Sequence, residues 1–399
     1  MLSRILRLRY RNMKNVYLDH TATTPLDPRV LDSMKPYLTT HFGNASSIHS
    51  FGREARAALD ESRDALAKSL RAQAGEVFFT SGGTEGDNAA LKGAAWAMRE
   101  LGKSHVVTNK TEHHAVLESC AFLEENGFSV TYADVDQFGM IDPDEIRRAI
   151  KPETGLISIM HANNEVGTIN PVKEIALIAK ERDILFHSDG VQSFGKLATD
   201  VNELGVDLFT ISAHKIYGPK GIGALYIRRG TKIDRFMHGG GQERGRRAGT
   251  ENVALAVGFA KAAELMDEMH TAEYPRLNDL KHHLKTMLEK TFPYILFNGH
   301  GEQSLAHILN ISFDNARIEI DGESLLFNLD LAGIAVTSGS ACTSGNIAPS
   351  HVLLAMGRSV QTAKATIRFS LGRSTTLDDL KYTVERLTEI VHMIGIMKE

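Results

Sequence analysis

A glycine-rich turn, Thr80–Glu85, is the first stretch whose residues suit the binding of a charged ligand. Its two adjacent glycines let the backbone approach a ligand closely, and the helix predicted to follow offers unpaired N–H donors at its N-terminus. This arrangement favours an anion, most naturally a phosphate. An ordinary strand-to-helix turn has the same pattern. The turn matches neither the P-loop nor the dinucleotide fingerprint.

Two ionisable residues stand at the ends of later apolar strands. Asp189 ends one strand and is followed by Gln192, and Lys215 ends another and follows His214. Ligands of open α/β sheets bind at these carboxyl ends. A lysine near apolar walls loses its proton more easily and becomes a nucleophile. The alternatives are a helix-capping aspartate, a surface amide and a surface lysine.

Together, a phosphate cradle, a strand-end aspartate and a strand-end lysine fit pyridoxal phosphate. The lysine would form a Schiff base with the cofactor, and the aspartate would hold the proton of the ring nitrogen. The helix N-terminus would hold the phosphate. The ring would then act as an electron sink.

The two cysteines of the chain lie in different settings. Cys342 lies among small residues in Thr337–Gly345, which predicts an exposed Ser/Gly loop with a thiol able to ionise and attack. Cys120 lies in a helical stretch, and we interpret it as a core residue. Two cysteines exclude a disulfide framework and favour a reducing compartment.

Strand-like and helix-like stretches alternate from about residue 76 to residue 228. This predicts a mostly parallel sheet with helices on both faces. The predicted strands are Val77–Thr80, Val106–Thr108, Val130–Ala133, Leu156–His161, Ile184–Ser188, Leu208–Ser212 and Ala224–Ile227. The predicted helices of the first two thirds of the chain are Arg53–Leu70, Gly86–Glu100, Ala115–Asn126 and Ala254–His270.

A different pattern follows and predicts a smaller α+β domain. Its predicted strands are Ile308–Phe313, Ile334–Thr337 and Thr366–Ser370, and its predicted helices are Leu277–Leu288 and Leu377–Ile396. We expect residues 31–267 to form the large cofactor-binding domain, and residues 13–30 with 268–399 to form the small domain. Residues 1–12 are predicted to be a disordered extension.

Many of these stretches, in this order, resemble the cysteine desulfurases of the NifS/IscS type. The resemblance runs from about Val16 to the C-terminus. Its matching motifs are Tyr17–Pro25, Thr80–Asn88, Thr111–His113, Asn163–Gly167, Asp189–Gln192, Ser212–Gly221, Arg247–Thr250, the Cys342 loop and Ile367–Ser370.

The resemblance implies a homodimeric enzyme of pyridoxal phosphate fold type I, the aspartate-aminotransferase-like fold. It has a large domain with a mostly parallel seven-stranded sheet and a smaller α+β domain. Lys215 would be the Schiff-base lysine, Asp189 would pair with the pyridine nitrogen, and Gln192 would contact the ring hydroxyl. The implied phosphate ligands are Gly83, Thr84, Ser212, His214 and, from the partner subunit, Thr250.

The resemblance also assigns the residues that act on the substrate. His113 would stack on the cofactor ring and assist proton transfer, although spacing alone does not separate it from His114. Asn164 would contact the cofactor and the substrate, and Arg368 would pair with the substrate carboxylate. From the residues alone, Asn164 is equally a turn residue and Arg368 a structural ion pair. Cys342 would accept sulfur as a persulfide, and no metal site is predicted.

The implied function is the conversion of L-cysteine to L-alanine, with delivery of sulfur to an acceptor protein such as an iron–sulfur scaffold. One alternative is a selenocysteine lyase or another pyridoxal phosphate enzyme, for example an aminotransferase, which would need no cysteine. The other is a non-catalytic partner in sulfur assembly, since a fold does not fix a function.

Charge and composition favour a globular enzyme. The 399 residues include 45 basic and 49 acidic ones, and the net charge of −4 argues against a nucleic-acid coat. No apolar run is long enough to cross a membrane. We expect a cytoplasmic protein that effectively starts at Met13. The arginines of residues 1–12 leave an organelle-targeting segment as the alternative.

Overall fold

The computed structural model describes residues 14–339 and 348–398. Numbered along the chain, the strands of this part are β1 (Val16–Tyr17), β2 (Val77–Thr80), β3 (His105–Asn109), β4 (Ser129–Ala133), β5 (Thr154–Ser158), β6 (Leu185–Asp189), β7 (Leu208–Ser212), β8 (Gly223–Ile227), β9 (Ile295–Asn298), β10 (Ile308–Phe313), β11 (Ile318–Glu319), β12 (Ile334–Ala335), β13 (Thr366–Ser370) and β14 (Ile396–Met397).

Helices lie between many of these strands along the chain. They are α1 (Pro28–Thr39), α2 (Ser50–Leu70), α3 (Gly83–Arg99), α4 (His114–Glu125), α5 (Pro143–Ala149), α6 (Val172–Glu181), α7 (Val201–Leu204), α8 (Val253–Thr291), α9 (Gly322–Leu331), α10 (His351–Ala355), α11 (Val360–Lys364) and α12 (Leu377–Ile394).

The largest sheet has seven strands in the order β2-β8-β7-β6-β5-β3-β4. Only β8 runs antiparallel to its neighbours, β2 and β7. Successive side chains of a strand point to opposite faces of the sheet. Phe78 packs with α3 and α4 on one face, whereas Val77 and Phe79 pack with α1, α2 and α8 on the other. The predicted mostly parallel α/β sheet is therefore confirmed.

A second hydrophobic core forms around the antiparallel sheet β9-β10-β13. It takes Val16 and Leu18 from the start of the described chain, and it takes buried residues from α9 and α12. Leu284 and Leu288 of α8 belong to this core, whereas Phe259 of the same helix belongs to the large one. The limits of the two domains stay a prediction. Residues 1–12 lie outside the described residues.

The two helices predicted as Ala254–His270 and Leu277–Leu288 are one helix, so this prediction was wrong. Helix α8 continues through Pro275 to Thr291. A proline inside a helix removes one backbone hydrogen bond. Packing of the two halves of α8 against the two cores offsets that loss. Smaller differences concern the ends of strands and helices. For example, the strand predicted as Leu156–His161 ends at Ser158. In the described part of the chain, no helix combines the length and apolar character needed to span a bilayer.

Gly190 lets the chain turn directly after the strand-end residue Asp189. Its backbone N–H donates to the carbonyl oxygen of Thr210 on the neighbouring strand (2.9 Å). A Cβ atom at Gly190 would lie 1.9 Å from Cζ of Phe209, which is completely buried under this turn. The position of Asp189 therefore depends on the lack of a side chain at residue 190.

Replacing Gly190 by alanine is expected to lower the free energy of unfolding by about 1–3 kcal/mol, because Phe209 must move in a packed core. Urea denaturation of the two proteins measures this change. The control is Gly241→Ala, where an added Cβ meets no atom within 4 Å. Equal stabilities of the Gly190 and Gly241 variants would contradict this account of the turn.

Candidate active site

Ten of the predicted site residues line one cavity of about 690 Å³ at the carboxyl ends of β6 and β7. They are Gly83, Thr84, His113, Asn164, Asp189, Gln192, Ser212, His214, Lys215 and Arg368. Carboxyl ends of parallel strands meet at one edge of a sheet, which explains this convergence. Thr250 is exposed and is not among the residues that line this cavity. Cys342 lies outside the described residues.

Lys215 stands in a short 3₁₀ turn directly after β7. Its Nζ donates to the carbonyl oxygens of Thr21 (2.7 Å) and Ala22 (2.8 Å). Burial lowers the pKa of Lys215 to about 8, and the nearby charge of Arg368 acts in the same direction. More of this amine is therefore neutral and nucleophilic near physiological pH than of an ordinary lysine.

Asp189 ends β6 and is buried. Its Oδ1 accepts a hydrogen bond from the backbone N–H of Val191 (2.8 Å). Burial raises the pKa of Asp189 to about 6, although the Val191 N–H and the charge of Lys215 oppose the shift. A carboxylate in this position is favourable when a cation or an N–H⁺ group lies beside it.

The N-terminus of α3 opens into the same cavity at Gly83 and Thr84. Its N-cap is Gly82, so no side chain caps the first amides of the helix. Ser212 Oγ, on the neighbouring β7, is buried and has no hydrogen-bond partner among the described residues. Free amides and an unpartnered hydroxyl are a set of donors that suits a phosphate.

An acidic residue of the same helix turn is neutralised. Glu85 forms a two-pronged ion pair with Arg247, in which Nε and Nη2 donate to its two carboxylate oxygens at 2.9 and 3.1 Å. The Ser81 backbone N–H donates to Glu85 as well (2.8 Å). Arg247, the first residue of the motif Arg247–Thr250, thus neutralises a negative charge that would repel an anion.

His113 is the N-cap of α4 and lines the cavity. The backbone N–H of Ala115 donates to its Nδ1 (3.1 Å), so the ring proton is on Nε2. Burial lowers the pKa of His113 to about 4, and the charge of Lys215 adds to the shift. His113 is therefore a neutral ring at pH 7. His114, which spacing alone did not separate from His113, packs against His351 instead. The centroids of these two rings lie 4.8 Å apart.

Arg368 of β13 is buried and lines the cavity, so the sheet of the second core contributes a residue to the site. Its Nη1 donates to the carbonyl oxygen of Asn164 (2.9 Å) and its Nη2 to Oδ1 of Asp19 (2.9 Å). The ion pair that the residues alone suggested is therefore present. Nε of Arg368 is buried and unpartnered in the described structure, which leaves a donor for an anionic ligand.

Sequence reasoning missed three ionisable groups near the cavity. Burial raises the pKa of both Asp87 and Glu112 well above the usual carboxyl range, and the charge of Asp189 adds to each shift. Glu112 was visible inside the Thr111–His113 motif. Lys196 lies close to Gln192, and only their spacing of four residues could have indicated a contact.

Pyridoxal phosphate fits these residues. A buried carboxylate suits its protonated ring nitrogen, the α3 N-terminus with Ser212 suits its phosphate, and Lys215 is an amine of lowered pKa that lines the same cavity. Cys120, in contrast, is completely buried in α4, which confirms it as a core residue, and burial raises the pKa of its thiol.

Comparison with known proteins agrees with this cofactor site. The family model for aminotransferase class-V matches residues 16–383. The cysteine desulfurase IscS of Dictyoglomus turgidum is 50% identical over 381 residues, which cover 96% of this chain and 95% of that protein. The cysteine desulfurase IscS of Methanosarcina thermophila is 48% identical over 387 residues, covering 96% and 94%.

Two solved structures have the same fold as this chain over most of its length. A NifS-like protein, 37% identical, superposes with a TM-score of 0.88 over 96% of this chain and 100% of its own. A protein described as SspA in complex with cysteine, also 37% identical, superposes with a TM-score of 0.79 over 89% of this chain and 98% of its own.

The fold and the site define a pyridoxal-phosphate-dependent enzyme of the class-V aminotransferase type. Within that class, the chain belongs to the cysteine desulfurase family of the IscS and NifS type.

Replacing Asp189 by asparagine is expected to stabilise the cofactor-free protein at pH 7. The pKa of Asp189 is higher in the folded state, so the wild type loses stability as the pH rises from about 4 to about 6. An asparagine oxygen can still accept the hydrogen bond from the Val191 N–H. The variant avoids a loss in the free energy of unfolding on the order of 2–3 kcal/mol. Urea denaturation across this pH range measures the difference.

The control for this prediction is Asp64→Asn, which removes an exposed carboxylate from α2. It is expected to follow the wild-type pH profile. An Asp189 variant whose stability falls between pH 4 and 6 as steeply as that of the wild type would show that Asp189 is not the buried charge responsible.

Proposed function

We propose that this enzyme converts L-cysteine to L-alanine and takes the sulfur atom on Cys342. Sulfur leaves the substrate carbon and bonds to the thiolate of Cys342, so the products are alanine and one enzyme persulfide. The observation that carries the proposal is the single cavity that holds Lys215, Asp189 and Arg368 beside Thr337–Gly339. Cys342 follows Gly339 by three residues in the sequence.

Bound pyridoxal phosphate supplies a carbonyl carbon that reacts with amines and a ring that accepts electron density. The chain's own residues place it and move protons. Asp189 would hold the proton of the ring nitrogen, Gln192 would contact the ring hydroxyl, and His113 would stack on the ring. Gly83, Thr84, Ser212 and His214, which line the cavity, would hold the phosphate.

Lys215 has two tasks in this proposal, tethering the cofactor and then removing the α-proton of the substrate. Its lowered pKa suits the second task, since a general base works best near the operating pH. Arg368 and Asn164 orient the substrate, with Arg368 donating to its carboxylate. His113, neutral with its proton on Nε2, can donate or accept a proton near the leaving sulfur.

Described residues on both sides of Cys342 in the sequence, Gly339 and Ser350, lie close to Glu165. Ser350 Oγ donates to Glu165 Oε2 (2.5 Å), and Gly339 packs so closely that a Cβ there would lie 2.9 Å from the same oxygen. Glu165 is buried, so both contacts lie inside the protein next to the cavity. This placement supports Cys342 as the acceptor of the substrate's sulfur.

We also propose an oligomeric state and a cellular role for the enzyme. The enzyme works as a cytoplasmic homodimer, in which Thr250 of each subunit reaches the phosphate bound by the other. The exposure of Thr250 outside its own cavity supports this arrangement. The persulfide is delivered to an acceptor protein such as an iron–sulfur scaffold.

Replacing Cys342 by serine is expected to lower alanine formation from L-cysteine on the order of 10³-fold or more, because the sulfur acceptor is lost. The cofactor absorbance is expected to persist, since Cys342 does not bind the cofactor. Alanine assays and the intact mass after cysteine treatment measure both effects. The matched control, Cys120→Ala, removes the other thiol and keeps activity. Undiminished alanine formation in the serine variant would refute this role of Cys342.

Replacing Arg368 by lysine is expected to raise KM for L-cysteine roughly 10-fold or more, because lysine lacks the planar fork that pairs with a carboxylate. Steady-state kinetics measures KM and kcat separately. Arg228→Lys, at an arginine that does not line the cavity, is the control. An unchanged KM together with lower stability would mean that Arg368 serves only its ion pair with Asp19.

A further inference from the structure

Lys196 is a second lysine near the cofactor cavity, and its ammonium has no ion-pair partner in residues 14–339 and 348–398. It lines a small cavity of about 40 Å³ behind Lys215, between the turn after β6 and helix α8. Burial lowers the pKa of Lys196 to about 7, and the charge of Lys215 acts in the same direction. An unpaired charge in such a place is costly, which points to a task for it.

Among the residues that the structure describes, the ammonium of Lys196 forms a hydrogen bond only with Gln192. Lys196 Nζ donates to Gln192 Oε1 (3.2 Å), and Gln192 Nε2 donates to the carbonyl oxygen of Thr21 (3.1 Å). The same carbonyl accepts from Lys215 Nζ (2.7 Å). Lys196, Gln192 and Lys215 therefore form one chain of hydrogen bonds through Thr21.

When Lys196 is protonated, this chain of hydrogen bonds permits only one orientation of the Gln192 amide. A lysine ammonium can only donate, and a backbone carbonyl can only accept. A flipped amide would set its NH₂ group against the ammonium and its oxygen against the carbonyl. With Oε1 held by Lys196 and one Nε2 hydrogen held by Thr21, the second Nε2 hydrogen is left for the cofactor cavity, which Gln192 lines.

We propose that Lys196 is a positioning residue that fixes the Gln192 amide so that an N–H, and not a C=O, faces the ring oxygen of the cofactor. The inference rests on the proposed function, in which Gln192 contacts that oxygen. A donor at this position favours the anionic form of the ring oxygen, and the ammonium behind it adds a positive potential. The anion in turn compensates the charge of Lys196.

The other charged and titratable groups around Lys196 do not replace it. Lys215, Arg373 and Glu273 line the same small cavity, together with three histidines. Burial lowers the pKa of two of these histidines, His20 and His307, so they are neutral at pH 7. The third, His270, and Glu273 come from α8. Among Lys196 and these groups of the described chain, only Lys196 forms a hydrogen bond with Gln192.

The test follows the absorbance of the cofactor bound to the full-length enzyme as the pH is varied. The midpoint of this pH titration is the pH at which half of the molecules have lost the proton from the nitrogen that joins the cofactor to Lys215. Lys196 and the Gln192 N–H both favour loss of that proton, so Lys196→Met is expected to raise the midpoint by roughly one pH unit. Lys196→Gln, which keeps a polar side chain, is expected to raise it as well.

Two further variants make the result specific. Lys281→Met removes another buried lysine, whose Nζ donates to Ser304 Oγ (2.7 Å) and to the Leu305 carbonyl, and it is expected to leave the midpoint unchanged. Gln192→Leu is expected to raise the midpoint. In the Gln192→Leu enzyme, the further change Lys196→Met is expected to shift the midpoint less than it does in the wild type, because the two residues act through one contact.

An unchanged or lowered midpoint in both Lys196 variants, with the cofactor still bound, would overturn the inference and leave the proposed function standing. A wild-type enzyme that binds pyridoxal phosphate without any absorbance of a lysine-linked cofactor would instead refute the proposed function. If Lys196→Met fails to fold, Lys196→Gln and Gln192→Leu decide the question by the same midpoint.

Discussion

Two groups of opposite charge at the ends of neighbouring parallel strands, the buried Asp189 and the half-buried Lys215, set the chemistry of this protein. Each group loses hydration, and each is partly compensated by the other and by backbone groups. Burial moves the pKa of both towards neutrality, to about 6 and about 8. The amine is thereby available as a nucleophile and base, and the carboxylate has a reason to bind a protonated ring nitrogen.

The rest of the fold serves to bring complementary groups to this pair. The α3 N-terminus and Ser212 add anion donors from the large sheet. Arg368 arrives from the second core, held by Asp19 near the start of the described chain. Helix α8 runs from one core into the other, so the two sides of the cavity share a continuous element. The site is therefore assembled from parts of the chain that are far apart in sequence.

Residues at strand ends could be predicted because their placement follows from the strand pattern alone. Asp189 and Lys215 each end a short apolar run, and parallel strands bring such ends together. The contact between Arg368 and Asp19 could not be predicted in this way, since it joins residues 349 positions apart. Nor could the link between Lys196 and Gln192, which depends on the path of an irregular turn. The unbroken helix through Pro275 was missed because packing overrides a local preference.

The central claim is that Lys215, and not another buried lysine, carries the cofactor. Lys196 and Lys281 are also buried amines with a lowered pKa, to about 7 and about 8, so a low pKa alone does not select Lys215. Reduction of the yellow enzyme with borohydride, followed by peptide mass spectrometry, identifies the lysine that is joined to pyridoxal phosphate. The account predicts the pyridoxyl group on Lys215, and the same group on Lys196 or Lys281 would contradict it.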